Sequence, residues 1–382
     1  SPMSRGLGDV YKRQVLQFYL NNIVCNKNVI SNYKRGAQIM SERTVFDFRS
    51  DTVTRPDDAM RAVMAAAEVG DDVYGDDKTT ANLEARVADM LGKPAGLFVS
   101  SGTQSNLIAI LCHAARGEEF LSGQSYHTVY YEAGGAATLG GVIPCPLPVD
   151  TAGRLSAADI DKAVKPDDFH HPVTRLLCLE NTVNGRIQTA AHLSDLCVAA
   201  RRHKLYCHLD GARLMNAAVA CNMDVSAFTA SFDSVSLCLS KGLAAPVGSV
   251  LVGDQAFIFR ARRLRKQLGG GMRQVGMLAA AGHHALDNNI SRLREYHQRA
   301  FHLATALKMI QDVHIDKDTV ETNMVYMDMP DDRKAGLGPY LAKKGFLISP
   351  AKRSFRLVTH KDIPEQAVEQ FVDAVASYME EH

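Results

Sequence analysis

The residues able to do chemistry sit in a few short strings. Ser240-Lys241-Gly242 follows the apolar run 235–239. A lysine just past a strand end enters a pocket, and partial burial of its amine supplies the neutral nucleophile that attacks a carbonyl carbon. Gly242 lets the backbone turn away. His208-Leu209-Asp210-Gly211-Ala212-Arg213 ends a second β-prone run. Asp210 before a glycine turn puts a carboxylate at a sheet edge, where it can keep a heterocyclic nitrogen protonated. Arg213 carries the planar fork that grips a carboxylate in two places. Ser101-Gly102-Thr103-Gln104-Ser105-Asn106 joins a strand to a helix. A helix start offers unpaired N–H groups and a favourable dipole to a phosphate; Gly102 permits close approach and Thr103 adds a hydroxyl. The flat ring of His127 could stack on an aromatic ligand or move a proton near neutral pH, and His170 is a second such imidazole. The 269–274 glycine turn carries one cation, Arg273. Each string alone also has an ordinary reading: a solvated lysine in a turn, a capping aspartate, a helix cap, a structural histidine. Their order along one chain gives them meaning together.

These residues need a scaffold, and the chain is long enough for one. Its 382 residues suit a large domain plus a smaller one. A 46% hydrophobic and 22% charged composition is that of a globular protein. The net charge of +1 gives no electrostatic case for nucleic acid or an acidic membrane. No apolar run approaches the length of a membrane span. The eight cysteines form no Cys-x-x-Cys pair and most lie in apolar runs, so they read as buried free thiols of a reducing compartment, the cytoplasm. No metal site is indicated.

Residues 1–40 differ from the rest, with six basic residues and one acid, Asp9. They read as a disordered or non-native leader with Met40 as the start; the basic bias also fits an organelle transit peptide. From residue 41 to 282, strand and helix patterns alternate. Thr80 can cap a helix with the stripe Leu83, Val87, Met90 and Leu91, stopped by Gly92. A helix follows Gly102 with Leu107, Ile110, Leu111 and Ala114 on one face. Short β-prone runs are 96–100, 175–180, 205–210, 234–240 and 249–253. This alternation predicts an α/β fold with a mostly parallel central sheet flanked by helices, whose ligands collect at the carboxyl ends of the strands. Residues 283–382 predict a smaller C-terminal α+β domain: a charged helix over 290–310, strands at 323–328 and 354–358, and a final helix over 364–380.

The strings resemble the low-specificity L-threonine aldolases, among pyridoxal 5′-phosphate (PLP) enzymes of fold type I. The likeness runs from Asp47 almost to the C-terminus. It includes Asp47-Phe48-Arg49-Ser50-Asp51-Thr52-Val53-Thr54-Arg55-Pro56, Val69-Gly70-Asp71-Asp72-Val73-Tyr74-Gly75-Asp76-Asp77, residues 132–136, 238–242 and 269–274, and Arg356-Leu357-Val358-Thr359-His360. The resemblance implies that Lys241 holds PLP as a Schiff base and Asp210 pairs with the pyridine nitrogen. It implies that Gly102 and Thr103 bind the phosphate and that His127 stacks on the ring. Ser50, Arg213 and Arg356 would hold the substrate carboxylate. Arg273 and Tyr74 would serve at a subunit boundary of a homotetramer, a dimer of dimers. The activity implied is cleavage of L-threonine, L-allo-threonine and related β-hydroxy amino acids to glycine and an aldehyde; His127 or His170 is the candidate base for the β-hydroxyl proton. Val183 stands where the pattern often has histidine, which predicts an altered rate or substrate preference. Two other readings stand beside this one: another PLP reaction such as β-elimination, transamination or decarboxylation, and a PLP-binding or oligomerisation protein without catalysis. A nicotinamide enzyme is disfavoured by the lack of a Gly-x-Gly-x-x-Gly turn.

Overall fold

Seven short runs rich in Val, Leu and Ile assemble into one twisted sheet. In chain order they are β1 (Ala95–Val99), β2 (Glu119–Gly123), β3 (Ile143–Leu147), β4 (Thr174–Glu180), β5 (Tyr206–Gly211), β6 (Ser234–Cys238) and β7 (Ser249–Gly253). Their order across the sheet is β1-β7-β6-β5-β4-β2-β3. β7 runs antiparallel to both neighbours, and the other adjacent pairs are parallel. The computed structural model describes residues 45–351 and 353–382, and residues 47–382 cluster as one unit. The leader expectation for residues 1–40, and Cys25, lie outside the described residues.

Helices cover both faces of this sheet. Asp77, not Thr80, caps α2 (Lys78–Met90): its carboxylate accepts from Thr80 N, while Thr80 itself is buried. Gly92 ends that helix at φ +63°. One face packs Leu83 and Val87 of α2, Leu193 and Leu196 of α4 (Ala190–Arg202), and Ala279 and Ala281 of α6 (Gly276–Asn288) on Leu177, Leu209 and Val235. α1 (Asp58–Ala65) packs on α6 outside them. The other face carries α3 (Gly102–His113) and α5 (Gln255–Gln267), with Ile108, Ala109 and Phe257 against Leu97 and Leu251. Each leucine, isoleucine or valine among these contributes about 1.5–3 kcal/mol when fully buried.

β3 escaped the sequence reading because Pro144 and Pro146 lie inside it. It tolerates them as an edge strand: the N–H of Ile143 bonds back to Glu118 beside β2, while the prolines alternate toward the open side. Beyond α6, the charged helix is α7 (Leu293–Leu307), and the two late strands are β8 (Met324–Met327) and β9 (Phe355–Val358), paired antiparallel with Arg356 opposite Tyr326. The last helix, α8 (Glu365–Glu381), packs on α7. The seven described cysteines are free thiols, and five of them are buried. Among the described residues no helix is long and apolar enough to cross a membrane.

Candidate active site

The carboxyl ends of the parallel strands converge, as the topology requires. β4 ends on Glu180, directly opposite Asp210 of β5, and Asp210 lies opposite Ser236 of β6. β6 leads into Ser240 and Lys241. Gly211, the last residue of β5, abuts β6 so closely that only glycine fits: a Cβ there would sit 2.4 Å from the Ser236 carbonyl oxygen. Asp210 is buried and accepts on both oxygens, from Ala212 N at 3.0 Å and Asn106 Nδ2 at 2.8 Å. Lys241 is half-buried, and its Nζ makes no hydrogen bond or ion pair among the described residues. Asp51, His127 and Glu180 are all within electrostatic reach of it.

β1 leads into the start of α3. Ser101 caps it, its Oγ accepting from Gln104 N at 3.1 Å. The N–H groups of Gly102 and Thr103 have no acceptor within the helix. Beside them lies Ser249, whose buried Oγ has no hydrogen-bond partner among the described residues and sits 3.7 Å from where a Cβ on Gly102 would be. An orphaned hydroxyl at a helix N-terminus suits an oxyanion. The 269–274 turn crosses the same spot, because a Cβ on Gly270 would come within 2.4 Å of Gln104 Nε2.

His127 follows β2 and is fixed by two carboxylates. Its backbone N–H donates to Glu180 Oε2 at 2.7 Å, and its ring Nδ1 lies 2.8 Å from Glu132 Oε1. The bond to Glu132 raises the imidazole above its ordinary value. Enclosure and the neighbouring Asp210 push Glu180 up to about 7.

Ser50, Arg213 and Arg356 meet at one stretch of chain. Arg213 spends its fork on Asp51, with Nε–Oδ2 at 2.8 Å and Nη2–Oδ1 at 2.6 Å. Asp51 is fully buried. Against that burial, Arg213 holds its carboxyl down at about 2. Arg356 Nη2 donates to the Arg49 carbonyl at 3.0 Å. Ser50 stands between these anchors and caps the following turn through Thr52 N. The expectation that Arg213 offers a whole fork to a ligand is therefore corrected: two of its nitrogens are already engaged.

Three predicted residues lie elsewhere. Tyr74 is 78% exposed on a turn, and Arg273 Nη1 bonds Asp71 Oδ2 at 2.9 Å beside it. His170 is not part of the cluster in this chain. It sits in the loop entering β4, six strand residues from Glu180, and its Nδ1 lies 2.6 Å from Asp168. A loop before a parallel strand opens at the amino edge, opposite the site. Val183 does not face the cluster either: it is buried in the main core, packed against Gly153. Asp51, Asn106, Glu132, Glu180 and Ser249 were missed as functional residues. Glu180 left a signal, since it ends an apolar run just as Asp210 does; the others show their partners only in three dimensions.

Amine, buried acid, phosphate-type helix start with an orphaned hydroxyl, and flat ring are together the donor set that PLP requires, so the residues fit that cofactor. The Beta-eliminating lyase family matches residues 47–330. The low specificity L-threonine aldolase of Escherichia coli strain K12 is 45% identical over 322 residues, covering 84% of this chain and 96% of that protein. Low-specificity L-threonine aldolase 1 of Arabidopsis thaliana is 43% identical over 327 residues, covering 83% and 91%. Among solved structures, a threonine aldolase of Leishmania major superposes with a TM-score of 0.76 at 23% identity, covering 87% of this chain and 99% of that one. The serine palmitoyltransferase of Sphingomonas wittichii superposes with 0.70 at 16%, covering 89% and 88%. At those identities the likeness speaks to the fold. By the family match and the identities above 40%, this chain belongs to the beta-eliminating lyase family, among the low-specificity L-threonine aldolases, PLP-dependent lyases of fold type I.

Proposed function

We propose that the protein cleaves the Cα–Cβ bond of L-threonine, L-allo-threonine and related β-hydroxy amino acids, releasing glycine and an aldehyde. The observation that carries this is the unpaired Lys241 amine at the same strand ends as a buried, doubly hydrogen-bonded Asp210. Lys241 would hold PLP, Asp210 its ring nitrogen, and Gly102, Thr103 and Ser249 its phosphate. When bound, that group draws electrons from the substrate's Cα. The chain's own residues do the rest. Ser50, Arg356 and the free Nη1 of Arg213 orient the substrate carboxylate, so that the bond to be cleaved is fixed in direction. His127 donates Nδ1–H to Glu132, which leaves Nε2 as the atom that takes the β-hydroxyl proton and returns one. Lys241 would receive that proton and deliver it to Cα.

The exposed pair Tyr74 and Arg273 is assigned to a neighbouring subunit's site, within a dimer of dimers. A division into a large portion ending at residue 282 and a smaller one over 283–382 fits the change from the seven-stranded sheet to the β8–β9 pair. Free thiols fit a cytoplasmic setting.

The test is direct. Purified protein is given each threonine diastereomer with and without added PLP, and glycine, acetaldehyde, pyruvate and ammonia are quantified. Glycine with matching acetaldehyde supports the proposal; pyruvate with ammonia would replace it by β-elimination. Borohydride reduction should leave the cofactor's mass on Lys241, and an unlabelled lysine would remove the attachment.

A further inference from the structure

The face of the sheet under α3 is unexpectedly polar at its centre. Side chains alternate along a strand, and the opposite face carries Leu209, Val235 and Leu237. The α3 face instead carries His208 and Asp210 of β5 with Ser234 and Ser236 of β6, all buried. Three of the buried polar groups on this side, together with the half-buried His113, form one hydrogen-bonded chain that ends on two carboxylates.

Asn106, in the second turn of α3, stands at its centre. Its Nδ2 donates to Glu132 Oε1 at 2.8 Å and to Asp210 Oδ2 at 2.8 Å. Both amide hydrogens are thereby used, one on each acid. The flipped amide would aim its oxygen at two carboxylates, so electrostatics fix the orientation. Oδ1 must then accept, and its partner is His208 Nε2 at 3.1 Å. With Nε2 protonated, His208 Nδ1 accepts from the Ser234 hydroxyl at 2.8 Å. Ser234 Oγ in turn accepts from His113 Nε2 at 2.8 Å. Burial keeps both imidazoles neutral, at about 3 for His208 and about 4 for His113. Every donor therefore points the same way, from His113 at the far end of α3 to the two acids. The ligand-type atoms of His127, Glu132 and Asp210 lie within 4.8 Å of one another, and the N–H groups of Asn106 and His127 account for that closeness.

We infer that Asn106 is a positioning residue that yokes Asp210 to Glu132, so that the acid assigned to the cofactor ring and the acid that sets the His127 ring keep one mutual geometry. This rests on the roles given above to Asp210 and His127. Asn106 acts through both carboxylates, and His208 fixes it from behind. Each acid loses one charge-assisted hydrogen bond if the yoke is removed.

The experiment compares Asn106→Leu, Asp210→Ala and the double variant, using PLP affinity and the pH dependence of the bound cofactor's visible absorbance. Asn106→Leu should raise the PLP dissociation constant roughly tenfold, the loss of one such bond, and move the absorbance midpoint. In the Asp210→Ala background the same change should cost almost no further affinity. Asn106→Ser, smaller and still a donor, should give a weaker effect in the same direction and carries the test if the leucine variant does not fold. If Asp210→Ala leaves affinity and spectrum unchanged, the underlying assignment of Asp210 fails. If Asp210→Ala weakens binding while both Asn106 variants match wild type, or the double variant is additive, the yoke is overturned and Asp210 stands.

Discussion

Two arginine–aspartate pairs show how differently this molecule holds its functional groups. Arg213–Asp51 at 2.6 Å and Arg273–Asp71 at 2.9 Å are alike in chemistry and nearly alike in length. The side chains of the first pair are 11% and 0% exposed, those of the second 53% and 21%. In the first, little solvent reaches either group, each charge depends on the other, and Asp51 also accepts from Asn323. In the second, solvent screens the attraction and competes for the guanidinium. The interior pair is a fixture beside Ser50, and it leaves Arg213 Nη1 without a partner among the described residues. The exposed pair leaves the rest of the Arg273 guanidinium open to solvent.

Ways to break the contrast start with the interior. Lys241→Ala should abolish nearly all glycine formation from threonine without loss of the fold, since the half-buried amine carries no structural bond; turnover near wild type would remove it from the chemistry. Asp51→Ala should cost about 3–5 kcal/mol of stability in urea titration, because it strands a buried guanidinium. Adding Arg213→Met to that variant should recover most of the loss, and a failure to recover would show the cost to lie in packing. The pair also has a pH signature. A carboxyl whose folded value is depressed stabilises above its ordinary value near 3.8 and loses that contribution as pH falls toward about 2. Wild type should therefore lose stability through that acid window more steeply than the doubly substituted protein.

On the exposed shelf the expected cost is small. Arg273→Ala should change stability by less than about 1 kcal/mol, the range of surface ion pairs. If the shelf serves a neighbouring subunit, the same variant should raise KM or the PLP dissociation constant well beyond what that stability change explains. Unchanged kinetics would confine Arg273 to a surface contact.

The sequence made the scaffold and the reactive groups legible for a common reason. Strand runs, helix stripes and glycine turns are local, so Lys241, Asp210 and the start of α3 could be placed at strand ends before any fold was seen. The supports were not legible, because their reasons are long-range. Asp51 meets Arg213 across 162 residues and Asn106 meets Asp210 across 104. Thr80 looked like a cap because threonine and aspartate share that preference, but Asp77 fulfils the task three residues earlier. His170 looked equivalent to His127 in composition. Only the sheet direction separates them, putting one after a strand and the other before one.

His127–Glu132 falls between the two regimes, with side chains 36% and 5% exposed, and it gives the subtlest test. A base works unprotonated, so the rate should rise as pH passes upward through the His127 value. Glu132 holds that value above the ordinary histidine range by accepting from Nδ1. Glu132→Gln keeps the size and the bond to Asn106 while removing the negative charge, so imidazolium loses its stabiliser and deprotonates at lower pH. The acidic limb of the kcat/KM profile should therefore move downward, with only a modest change at the plateau. A limb that stays in place would mean that another group sets it, and Glu180, pushed up to about 7 beside the same ring, is next in line. Glu180→Gln would then shift the profile where Glu132→Gln had not.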